Sequence, residues 1–94
     1  MHSIRIDWAQ ISSEDGMWDA LCRESKEPMW HGRNLDALND SWVAGGINEM
    51  GPPYQFHFLN CSKVAERLAR TASAVMDIAR TSVAENGGAY DAKP

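Results

Sequence analysis

The chain has few cysteines, few basic residues and no long apolar run, and each shortage removes a class of function. Only Cys22 and Cys61 are present, and their spacing fits neither a metal-binding nor a redox motif. In a reducing compartment they are expected to be partly buried thiols, not a disulfide. Lysine and arginine together number 9 against 13 acidic residues, for a formal net charge of −4 and a pI near 5.2. Binding nucleic acid by phosphate neutralisation needs the opposite balance, so no direct nucleic-acid binding is expected. A basic protein partner is compatible with this charge. No segment approaches the roughly 18 apolar residues that span a bilayer. The opening MHSIRIDWAQ lacks the basic-then-apolar pattern of a secretory signal. A cytoplasmic protein with no membrane association is therefore expected. There is no phosphate-binding loop or dinucleotide fingerprint, no repeat and no low-complexity segment, and no cofactor is expected.

What is present suffices for one domain with a modest core: 94 residues, 44% of them hydrophobic and 9% aromatic. In SIRIDW, Ile4, Ile6 and Trp8 alternate with Arg5 and Asp7, which predicts a strand over 3–8. Ser12 or Ser13 can then cap a helix that carries Glu14 and Asp15 in its first turn and a stripe of Trp18, Leu21 and Cys22. Pro28 closes that unit, and KEPMWHG reads as a loop. Asn34 caps a second helix with Leu35, Leu38 and Trp42 on its inner face, stopped by Gly45-Gly46. YQFHFL predicts a second strand over 54–59. A further helical region is expected from Ser62 to about Glu85, with a possible break at the polar Thr71–Ser73. The tail AYDAKP is a poor strand.

A strand, two helices and a strand imply a parallel pairing through a crossover. The fold class is therefore α/β, a small layer in which helices cover a two- or three-stranded, mainly parallel sheet. The domain is expected over 1–88. Residues 89–94 are either a disordered tail or a remnant third strand.

One stretch carries the functional question: WHGRNLDALND, residues 30–40. Asp36 and Asp40 stand four apart on a helix, where like charges repel by a few tenths of a kcal/mol. The helix dipole offsets part of this for Asp36 in the first turn but not for Asp40. Such a pair is either a solvated polar face or a surface made for a cationic partner. An acid–base cluster of Asp36, Asp40 and His31 is the enzymatic alternative, and it needs a cleft that a chain of this length seldom forms. His31 and His57 are far apart in sequence with no partner at ligand spacing, and Cys61 has no flanking signature of a nucleophile.

This stretch resembles the signature of the barstar family, intracellular inhibitors of secreted barnase-type ribonucleases. The family pattern is an aromatic pair, Gly, any residue, Asn-Leu-Asp-Ala-Leu, any residue and Asp. Here it is Trp30, His31, Gly32, Arg33, Asn34-Leu35-Asp36-Ala37-Leu38, Asn39 and Asp40, without a gap. The resemblance is closest over residues 28–42 and extends to 1–85. It implies a barstar-like layer with three or four helices and a protein that is not an enzyme. It further implies an immunity protein that blocks a nuclease toxin's basic active site in a 1:1 complex.

By that resemblance Asp40 enters the catalytic pocket, Asp36 supports it, Trp30 stacks on an active-site group and Asn34 adds a polar contact. His31, Asn39, Val43 and Glu85 complete the implied toxin-binding set. Desolvated charge pairs of this kind hold a complex and speed its formation, and the family's founding complex is the type example of both. Three departures point to a partner that differs in detail. Asn39 stands where the family often has an aromatic, His31 is the second member of the aromatic pair, and only GGAYDAKP corresponds to the C-terminal strand. The family's further acidic contact falls near Thr81, for which Glu85 can substitute. The same acidic face also suits an immunity protein against a DNase or tRNase, or a regulatory module that docks a basic protein unrelated to toxins.

Overall fold

The computed structural model describes residues 2–26, 33–44 and 53–94. The expected loop around Pro28, the Gly45-Gly46 stop, Trp30 and His31 lie outside them. Strand β1 is His2–Asp7, helix α1 Glu14–Ser25, helix α2 Leu35–Asn39, strand β2 Tyr54–Leu59, helix α3 Ala69–Asn86 and strand β3 Gly88–Ala92. The three strands form one parallel sheet in the order β1-β2-β3, with Ile4 opposite Phe56 and Phe56 opposite Tyr90. Among the described residues the fold is α/β, a three-stranded parallel sheet with three α-helices.

The two-residue alternation decides which face is covered. Ile4, Ile6, Tyr54, Phe56 and Phe58 are buried under the helices. On the other face Ser3, Arg5 and Asp91 are exposed, and Gln55 and His57 half-buried. Met17, Trp18 and Leu21 of α1, Leu38 of α2 and Val75 and Ala79 of α3 close the core. Aromatic rings line its floor: Trp42 lies 4.8 Å from Phe56, and Trp8 stacks on Phe58 at 6.3 Å.

Several boundaries differ from the sequence expectations for local reasons. Strand β1 ends at Asp7, because the Asp7 carboxylate accepts from the Ala9 N–H at 3.0 Å and starts a 3-10 turn over Trp8–Gln10. Trp8 is buried even so. Of the two candidate caps of α1, Ser13 is the one used, with its hydroxyl 3.0 Å from the Gly16 N–H.

The region from Ser62 is not one helix. Asn60 is left-handed at φ 55° and Val64 and Ala65 are extended, so the chain makes 3-10 turns at Cys61–Lys63 and Glu66–Leu68 before α3 begins. Helix α3 runs unbroken through Thr71–Ser73. A threonine and a serine cost only tenths of a kcal/mol in a helix, and Ala72 between them is buried in the core.

The tail is a strand. Two positive-φ glycines, Gly87 at 83° and Gly88 at 106°, reverse the chain within two residues of α3. A Cβ on Gly88 would sit 2.1 Å from the Tyr54 carbonyl oxygen, so β3 reaches β2 only because this residue has no side chain. The ladder continues past the strand, where Lys93 N–H donates to Phe58 O at 2.8 Å and Cys61 N–H to Lys93 O at 2.9 Å. Cys22 and Cys61 are half-buried and not joined by a disulfide.

Candidate functional site

The acidic helix is built by a strong start and an unusual end. Asn34 is extended, and its side-chain oxygen accepts from the Ala37 N–H at 2.8 Å, the expected cap. Just before it, Arg33 pairs with Asp19 of α1 at 2.5 Å. The Asp19 hydrogen bond raises the Arg33 guanidinium above its ordinary range. Helix α2 is short, and Asp40–Ala44 continue it as a π-helical turn. Ala37, Leu38, Ser41 and Trp42 face inward and are buried, while Asp36, Asn39 and Asp40 are exposed and Leu35 and Val43 half-buried.

A helix end leaves its last carbonyls without backbone donors. Here other elements supply them. The Tyr54 hydroxyl lies 3.4 Å from Ser41 O, the Ser82 hydroxyl donates to Trp42 O at 2.7 Å, and Asn86 Nδ2 donates to Val43 O at 2.8 Å. Three consecutive carbonyls thus rest on β2 and α3. Trp42 adds a fourth tie, because its indole N–H donates to the Ser25 hydroxyl at the end of α1, 2.7 Å away. The segment that presents Asp40 is therefore fixed to every layer of the domain.

Among the sequence-derived site residues, Asn34, Asp36, Asn39, Asp40 and Val43 lie on this one segment. Glu85 is exposed in the last turn of α3, one residue before the Asn86 that holds Val43. Thr81 is exposed and donates to Asp77 O at 3.0 Å. A groove of about 300 Å³ runs beside the helix, lined by Glu14, Trp18, Arg33, Asp36 and Thr71 among others; Asp40 does not line it. The two carboxylates therefore do not converge on one cleft, which suits presentation to a partner better than paired acid–base chemistry. Among the described residues no group of three or more His, Cys, Asp or Glu could hold a metal ion, and no helix is long and apolar enough to cross a membrane.

The residues missed by sequence reasoning are the ones that hold the helix: Ser25, Tyr54, Ser82 and Asn86. Ser82 did carry a signal. It falls on the inner stripe of Val75 and Ala79 at helical spacing, and a polar group there must find a partner. Ser25, at the end of α1, and Asn86 carried none.

A family model described as Barstar (barnase inhibitor) matches residues 1–92. The match runs through β3 as well as the acidic helix. No individual curated protein matches the chain. With nearly its whole length matched, the chain belongs to the barstar (barnase inhibitor) family.

Proposed function

We propose that the chain inhibits a barnase-type ribonuclease by inserting the acidic helix into its active site. In this reading it acts in the cytoplasm as an immunity protein for the cell that makes the toxin. The active site of such an enzyme must hold RNA phosphate, so it is cationic. Exposed carboxylates on a fixed helix imitate that charge without the entropy a flexible loop would lose on binding. Asp40 is the anchor and Asp36 its support. Asn34, Asn39 and Val43 complete the contact on the helix, Glu85 adds an acidic edge from α3, and Trp30 and His31 act from the sequence just before the helix. The complex is 1:1, and the single domain extends through β3.

The observation that carries this reading is the clamp on Ser41, Trp42 and Val43, which spends three side chains of β2 and α3 on immobilising a segment whose outer face is acidic. The test is a titration of RNA cleavage by a barnase-type ribonuclease, run beside a DNase and a tRNase. Loss of RNA cleavage at one equivalent, with the other two enzymes untouched, is the expected result. Inhibition of the DNase or tRNase alone would keep the acidic face and change the toxin, and inhibition of none would remove the reading.

A further inference from the structure

The groove beside the acidic helix contains a cation that the proposed contact does not use. Glu14, Arg33 and Asp36 all line it, and Arg33 is the one cation in its lining among the described residues. Arg33 stands directly before the Asn34 cap and three residues before Asp36. Its guanidinium bonds to neither carboxylate of the lining. It reaches back to Asp19 of α1, 2.5 Å away. The side chains that favour its charge, Asp19 foremost, are all on α1, and none is on the acidic helix. Asp36 is exposed and has no ion-pair partner among the described residues.

A cation in this place works against an acidic face. Facing a cationic active site, an exposed and unpaired guanidinium would repel the partner. Arg33 and Asp36 also share one groove, so a released Arg33 could pair with Asp36 and cancel the charge offered to the partner. Asp19 and Arg33 are both exposed, and exposed ion pairs add little to stability. The bond between them is therefore better explained by what it does to the groove than by what it does for the fold.

We infer that Asp19 is a positioning residue for inhibition: it holds the Arg33 guanidinium against α1, away from Asp36 and from the partner's cationic site. This rests on the proposed function, which supplies the basic partner. Asp19 acts through Arg33. It leaves Asp36 unpaired for the partner, and it cancels the positive charge in the groove lining.

The test is the association rate with a barnase-type ribonuclease, measured by stopped flow at low and high salt. The full chain is compared with Asp19→Asn, Arg33→Gln and the double variant. Glu66→Gln is the control, because Glu66 is exposed and outside every ion pair among the described residues, and its loss changes the net charge equally. Asp19→Asn is expected to associate at least about threefold more slowly than the control at low salt, with the gap closing at high salt. In the Arg33→Gln background, Asp19→Asn is expected to cost no more than Glu66→Gln does. All three side chains are exposed, so melting temperatures should match the parent's. A pair that only supported the fold would lower the melting temperature in both single variants, and the double variant would not recover. Asp19→Asn no slower than the control, or equally slow with and without Arg33, would overturn the inference while the parent still binds and inhibits. Failure of the parent itself to inhibit would remove the proposed function, and this inference with it, so the two failures are read separately.

Discussion

The two ends of β2 are both covered by a buried tryptophan, and the two are built differently. Trp42 lies against Phe56 and spends its polar atoms, the indole N–H on Ser25 and the carbonyl on Ser82. Trp8 lies parallel to Phe58, and its indole N–H has no hydrogen-bond partner among the described residues. Both fill volume, but only Trp42 also fixes direction. Hydrophobic burial is non-directional, so a segment that must present side chains at a set angle needs hydrogen bonds at its base. The end of the sheet under Trp42 supports the acidic helix, and the end under Trp8 supports a turn.

The most damaging change is expected next to Tyr54, at the Trp42 end. Gly88→Ala sets a Cβ against the Tyr54 carbonyl and strains a positive φ. A loss on the order of 3 kcal/mol is expected from that combination, read as a fall in the denaturation midpoint. A midpoint close to the parent's would mean that β3 can pair without the glycine.

Trp42→Phe and Trp8→Phe then test the comparison itself. Each leaves a smaller ring and costs about 1 kcal/mol for the cavity. Trp42→Phe also strands the buried Ser25 hydroxyl, for about 1–3 kcal/mol more. Trp8→Phe removes an N–H without a partner among the described residues. Urea unfolding should place Trp42→Phe clearly below Trp8→Phe, and equal losses would break the distinction. Ser82→Ala sharpens it further. Leaving Trp42 O without its donor is expected to cost about 1–2 kcal/mol, and inhibition should weaken more than in a surface control of equal stability.

The smallest expected effect is one of pH. Burial raises the Tyr90 hydroxyl above its ordinary value near 10, against the opposing pull of Arg80, which bonds it at 3.0 Å. A group raised in the folded state holds its proton longer there than when unfolded. Its contribution is therefore full below pH about 10 and is lost as pH rises through the folded value. Thermal melts should show an alkaline decline that is shallower in Tyr90→Phe, and identical alkaline limbs would exclude Tyr90 as its source.

Much of this was legible in the sequence where the pattern is local. The alternation of YQFHFL set β2 at Tyr54–Leu59, and Asn34 announced the start of the acidic helix. Strand β3 was not legible, because GAYDA carries one large apolar residue and is held by the ladder to β2. The π-helical turn was hidden for a related reason, since the donors that satisfy its carbonyls come from Tyr54, Ser82 and Asn86, up to 43 residues away. Of the candidate site, Asp36 and Asp40 were visible as chemistry, whereas the residues that aim them were not. Buried serines reveal themselves only once the fold is known.

The central claim is that a rigidly held Asp40 does the blocking, and the most direct measurement is the affinity of parent and Asp40→Ala for a barnase-type ribonuclease. The account expects a loss of at least about 2 kcal/mol, roughly 30-fold, with an unchanged melting temperature; that threshold is the general one for interface hot spots, of which the family's founding complex is the extreme example. Equal affinity in the two proteins would contradict it.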